Sequence, residues 1–165
     1  MKPTPIDYLG GFPDDVRAAV AALRDQGVLL ERLRRHYPST HDVRTDAALR
    51  TYVQELKRSY LRSSRPLGKV RYSDRIGALH NALGLHTYAV RVQGRKLKRK
   101  HELRVSSLFK ELPPEFLRAV VVHELAHLRH KDHDKAFYRL CVHMEPEYHR
   151  YDRDMRLWLF ATQSR

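Results

Sequence analysis

One cysteine, Cys141, stands in the whole of the 165-residue chain, so no intrachain disulfide can staple it. Stability must then come from a hydrophobic core or a bound metal. No apolar run approaches the ~20 residues that a membrane span needs. Residues 1–7 hold no apolar stretch of the kind a secretory signal carries. These absences lead to the expectation of a cytoplasmic protein that does not enter a membrane. Internal repeats, low-complexity tracts and a glycine-rich P-loop are also missing. Acidic residues are scarce: 19 Asp and Glu against 32 Lys and Arg leave a formal charge of +13. Such an excess attracts polyanions, whether nucleic acid, ribosomes, nucleotides or acidic protein, although a soluble Arg-rich surface has the same composition.

The length suits one domain, residues 1–165, with a helical N-terminal part (1–66) and a sheet with site-bearing helices (67–165). Residues 1–12, with Pro3, Pro5, Gly10 and Gly11, read as an irregular arm. Asp14 or Asp15 caps a first helix carrying Val16, Ala19, Val20 and Leu23 on one face. Gly27 ends it, and a second helix runs from Val28 to His36 and stops near Pro38. Thr45 caps a longer helix with Leu49, Tyr52, Val53, Leu56 and Tyr60 along one side. Pro66 and Gly68 close this part. Val70 and Tyr72 suggest a short strand, and Ser73 a cap for a brief helix ending at Gly84. Leu85–Val92 and Glu102–Leu108 read as strands around a turn at Gly94. Pro114 opens a helix expected to reach Arg129, with Val121, Val122, Leu125 and Leu128 on its buried side. Helices over 134–144 and from Pro146 onward follow, the first holding Cys141 as a packed thiol.

The chemistry concentrates in His123-Glu124-Leu125-Ala126-His127, followed by His133. Two His four apart on a helix project from nearly one stripe, so both can reach one ion. Glu124 is turned ~100° around the axis, where it can take a proton from a metal-activated water without ligating the metal. This is the minimal zinc hydrolase pattern. Histidines are frequent here, so the pentamer alone is not decisive; its place on a helix with an apolar side strengthens it. His130 shares the stripe but lies ~10.5 Å along the axis from His123. His133 follows Lys131-Asp132, where the chain can reverse and bring a ligand from another direction. His133 is therefore the expected third ligand, with a fourth position left open. Phe137 would pack beneath that loop.

With these residues in view, the chain resembles the YgjP-like family of zinc metallopeptidases. The resemblance runs through Tyr37-Pro38 with His41-Asp42, the stretch Asn81–Thr87, and Arg91-Val92-Gln93-Gly94. It continues through Phe116-Leu117-Arg118, Val121–Leu128, and His133 with Lys135–Tyr138. It closes with His143–Pro146, Tyr148-His149 and Arg156–Leu159. It implies a small zincin-like α+β domain: N-terminal helices, a short antiparallel sheet, a metal-binding helix and C-terminal helices. It also implies kinship with the SprT and WLM groups of small metallopeptidases, some linked to proteins crosslinked on DNA. Zinc on His123, His127 and His133 with Glu124 as the base matches the family motif without departure. Metzincins share the spacing to His133, but their intervening Gly is His130 here, so that clan is not assigned.

The motif specifies an activated water and leaves the scissile bond open. The leading expectation is a zinc metallopeptidase. Its substrate would be a peptide or protein added to an edge strand, for which Glu102–Leu108 is the candidate. An oxyanion donor would come from among Tyr88, Tyr148, Tyr151, His143 and His149, with Tyr148 and His149 preferred. The alternative is a nucleotide pyrophosphatase. Residues 91–104 carry seven Lys or Arg and one Glu, and these cations could clamp a triphosphate. The missing P-loop and the single zinc with one Glu speak for amide hydrolysis instead. A third expectation is a nucleic-acid or ribosome-associated module, with the same segment and Arg58, Arg62 and Arg65 along a phosphate backbone. Glu124 argues against a closed structural metal, which would take four protein ligands.

Overall fold

A computed structural model describes residues 7–74, 84–93 and 96–163; of 84–93 and 96–101 only the backbone is described. Among the described residues, six helices and three strands run in the order α1 (Asp14–Asp25), α2 (Val28–His36), α3 (Asp46–Tyr60), β1 (Leu67–Ser73), β2 (Gly84–Gln93), β3 (Lys96–Ser106), α4 (Pro114–Ala126), α5 (Lys135–Met144) and α6 (Tyr148–Thr162). A 3₁₀ turn, Ser107–Lys110, joins β3 to α4. The class is α+β, as expected. The brief helix expected after Ser73 falls on residues 75–83, outside those described, as does the turn at Gly94.

Local chemistry explains most boundaries. Pro13 occupies the N-cap of α1, and Asp14 and Asp15 lie in the first turn, so they complement the helix dipole rather than cap it. Gly27 takes φ 72, a left-handed conformation that lets α1 turn directly into α2. Thr45 Oγ1 accepts a 3.1 Å bond from the Ala48 amide and starts α3. The apolar face of α3 buries Leu49, Val53 and Leu56. This helix also fastens the sheet: Asp46 Oδ1 accepts from the Tyr72 amide at 2.8 Å, and the Arg50 guanidinium donates to the Gly68 carbonyl at 2.8 Å.

The sheet order is β1-β3-β2. β2 pairs antiparallel with β3, but β1 pairs parallel with it, Val70 opposite Leu103 and Tyr72 opposite Val105. The sheet is thus mixed, where an antiparallel one was expected. The strand expected to offer an edge is the central one, with neighbours on both sides. It also ends at Ser106, earlier than Leu108, because Ser106 Oγ accepts from the Leu108 amide and tightens the chain into the 3₁₀ turn.

Every residue of α4 from Ala119 to Ala126 is buried. It packs against the sheet, α3, α5 and α6, so a one-sided apolar stripe would leave polar groups in the core. α4 ends at Ala126, three residues before the expected Arg129. At the far side, Tyr37 Oη donates to Asp154 Oδ2 across α2 and α6, and Phe116 sits between the rings of Tyr37 and Trp158 at 4.8 and 5.7 Å. Among the described residues no helix is long and apolar enough to cross a membrane.

Candidate metal centre

The early end of α4 shapes the centre. His127 is the C-cap, and the amides of Leu128, Arg129 and His130 fold back on the carbonyls of Leu125 and Ala126. The chain then reverses through 131–133. Asp134 halts the reversal by capping α5, its Oδ1 accepting from the Phe137 amide at 2.9 Å. His133, one residue before that cap, is returned to the two histidines of α4.

The three rings form a nearly equilateral triangle. Centroids of His123 and His127, His123 and His133, and His127 and His133 are 5.0, 4.9 and 4.9 Å apart. One ligand nitrogen from each lies within 4.8 Å of the others. Phe137, fully buried, is the floor: its ring lies 5.0, 4.6 and 4.9 Å from His123, His127 and His133. His123 is buried, His127 half-buried and His133 exposed, so the triad opens to solvent on the His133 side.

The ring nitrogens facing away from the centre are held. His127 Nδ1–H donates to the His130 carbonyl at 2.9 Å, which leaves Nε2 as the lone-pair nitrogen. That Nε2 stands 3.0 Å from His133 Nε2. Two ligand nitrogens on a tetrahedral zinc are about 3.3 Å apart, from zinc–nitrogen bonds of about 2.0–2.1 Å. His123 Nδ1 lies 2.8 Å from the Tyr148 hydroxyl. Three imidazoles, outer nitrogens engaged on two of them and one side open, fit a catalytic rather than a closed metal site. His130 contributes its carbonyl, not its ring, to this arrangement.

Glu124 is 1% exposed. Burial pushes its carboxyl up to about 8, opposed by the nearby His127. Tyr148 is equally enclosed, and burial raises its hydroxyl far above the ordinary value, so it stays protonated. Its place is behind the triad on His123. The remaining candidate donors disperse. Tyr151 packs on Tyr37 and His143 on Tyr60, at ring distances of 6.2 and 5.5 Å. His149 is exposed beside Tyr138, and the Tyr88 side chain lies outside the described residues. The basic segment 91–104 forms most of β2's end and β3; its side chains up to His101 are likewise outside the description. Arg104 is tied to Glu102 at 3.1 Å, as is Arg71 at 2.8 Å. Arg58 and Arg62 border a separate surface cleft on α3 with Arg50 and Lys57.

Sequence reasoning missed Asp134 as a cap and Tyr148 as the partner of His123. The first had a signal, an Asp three residues before Phe137 at a helix start. The second had none, since the two residues meet only through the packing of α6 on α4.

Residues 37–157 match the model of the YgjP-like metallopeptidase domain. The chain is 51% identical over 154 residues to the UTP pyrophosphatase of Escherichia coli (strain K12), covering 93% of this chain and 92% of that protein. No solved structure matches. The chain belongs to the YgjP-like family, and its triad and family membership make it a metal-dependent hydrolase.

Proposed function

We propose that this chain is a zinc-dependent nucleoside triphosphate pyrophosphatase. The observation that carries the reading is the 51% identity, over nearly the full length, to a protein named for UTP hydrolysis. In the reaction a water oxygen bonds to phosphorus, the bridge between the α- and β-phosphates breaks, and pyrophosphate leaves with the bridging electron pair.

His123, His127 and His133 would hold the metal. When bound, zinc supplies Lewis acidity toward phosphate oxygens and brings a coordinated water's pKa to about 7. The positive charge of a metal held by the triad would favour the ionised form of Glu124 against its burial, so that it takes the proton of the attacking water and returns it to the departing oxygen. The His130 carbonyl and the Tyr148 hydroxyl keep the rings of His127 and His123 turned for ligation. The +13 charge draws in a substrate carrying about four negative charges.

A metallopeptidase is the second reading, favoured by the description of the family. The strand thought to receive a peptide, β3, has both edges paired, which removes one support for it. Side-by-side assays of the purified zinc-loaded protein on UTP and on an unfolded polypeptide distinguish the two. Pyrophosphate release without peptide cleavage is expected; cleavage of the polypeptide with UTP left intact would overturn the proposal.

A further inference from the structure

Beside the triad, α5 and α6 bound a shallow, solvent-open cleft of about 840 Å³, roomy enough for a small organic ligand, for which pockets of about 300–1,000 Å³ are usual. His133 and the capping Asp134, whose carboxylate is engaged by the Phe137 amide, form one wall, Lys135, Tyr138, Arg139 and Val142 another, and His149 of α6 a third. The four α5 residues are spaced i, i+3, i+4, i+7, so they form one stripe on the side of the helix opposite the buried Phe137 and Cys141. The cleft therefore begins at a candidate metal ligand and extends away from it along a helix face.

Its chemistry is of two kinds. Lys135 and Arg139 are exposed, one turn apart, and make no ion pair among the described residues. Tyr138 is half-buried, with the Phe137 ring at 5.1 Å and 85° on one side and the Tyr148 ring at 6.4 Å on another, so its plane is set by packing. His149 lies 5.5 Å from it at 39°, and His133 6.4 Å at 37°. An aromatic platform next to two exposed cations and a candidate metal ligand matches a molecule with a flat ring at one end and phosphates at the other. A phosphorylated sugar would leave the platform unused, and an apolar peptide side chain would leave the cations unused.

We infer that this cleft is the nucleotide-binding site, with the base stacked on Tyr138 and His149 and the phosphates led to the triad by Lys135 and Arg139. This rests on the pyrophosphatase reading and adds to it the residues that recognise the substrate. Stacking is tolerant of base identity because each base has a π face, so these residues set nucleotide affinity more than choice among bases. Arg and Lys beside a transferring phosphoryl group contribute to its charge stabilisation.

The test compares UTP with inorganic tripolyphosphate, which carries the phosphates and lacks the base, in wild type and Tyr138→Ala, Tyr138→Phe, His149→Ala and Lys135→Ala/Arg139→Ala. Tyr138→Ala should raise KM for UTP on the order of tenfold, with kcat nearly kept and KM for tripolyphosphate unchanged. Tyr138→Phe keeps the ring and should behave as wild type. The double cation variant should raise KM for both compounds. His149→Ala, an exposed change, keeps the test decisive if Tyr138→Ala does not fold, and should raise KM for UTP alone. An active wild type whose KM for UTP is indifferent to both aromatic changes would overturn the base site and leave the pyrophosphatase intact. Failure of the wild type to release pyrophosphate from UTP would overturn both.

Discussion

The hydroxyl of Tyr148 lies 2.8 Å from Nδ1 of His123, joining the first turn of α6 to the last turn of α4 across 25 residues of sequence. Both residues are buried, at 2% exposure each. The contact fixes which nitrogen of His123 faces the centre, and it does so with a group that burial keeps neutral.

Tyr148→Phe removes that hydroxyl and keeps the ring. The buried His123 N–H then lacks its acceptor, at a cost of about 1–3 kcal/mol. Zinc affinity should fall on the order of tenfold or more, measured by competition with a chromophoric chelator. Activity should return when zinc is in excess, because the residue positions a ligand and does not act on substrate. Unchanged zinc affinity would show that His123 is oriented by something else.

Asp134→Ala removes the α5 cap next to His133. Loss of such a cap costs about 1 kcal/mol, which for a domain of this size lowers the melting temperature by roughly 2–4 °C. The same change should weaken zinc binding, since the cap ends the loop that returns His133. Asp134→Ser can still accept from the Phe137 amide and should restore both properties. Thermal melts with and without zinc check this.

Cys141 is fully buried, and burial raises its thiol to about 12. Thiolate is the reactive form, and at neutral pH it would be present at about one part in 10⁵. The native protein should therefore resist a thiol-reactive chromophore over minutes and react at once in denaturant. Fast labelling of the native state would mean that α5 opens readily.

The helices were readable because their ends are set by local groups: Gly27 at positive φ, the Thr45 cap, Pro114 in the first turn. That the ring of His133, and not that of His130, joins His123 and His127 was readable for a similar reason, since one helix cannot gather three side chains around a point. The central position of β3 was not, because strand order depends on the parallel pairing with β1, far away in sequence. Nor was the stop of α4 at Ala126. Leu128 continues the apolar spacing, yet the chain tightens after His127 and brings the His130 carbonyl to its Nδ1. The peptidase expectation rested on the family resemblance and on one zinc with one Glu, and named β3 as the edge a peptide would use; that strand is the central one.

Glu124 is a buried carboxyl one residue from the candidate ligand His123 and itself outside the triad. Glu124→Gln replaces it with a neutral group of the same shape, so fold and metal site should persist. The decisive measurement is pyrophosphate release from UTP by wild type and Glu124→Gln, with zinc content determined on the same samples and a chelated wild type beside them. The account predicts zinc bound equally in both proteins, and turnover lowered by about 10²–10⁴-fold in the variant and abolished by chelation. A zinc-loaded Glu124→Gln protein that releases pyrophosphate at the wild-type rate would contradict it.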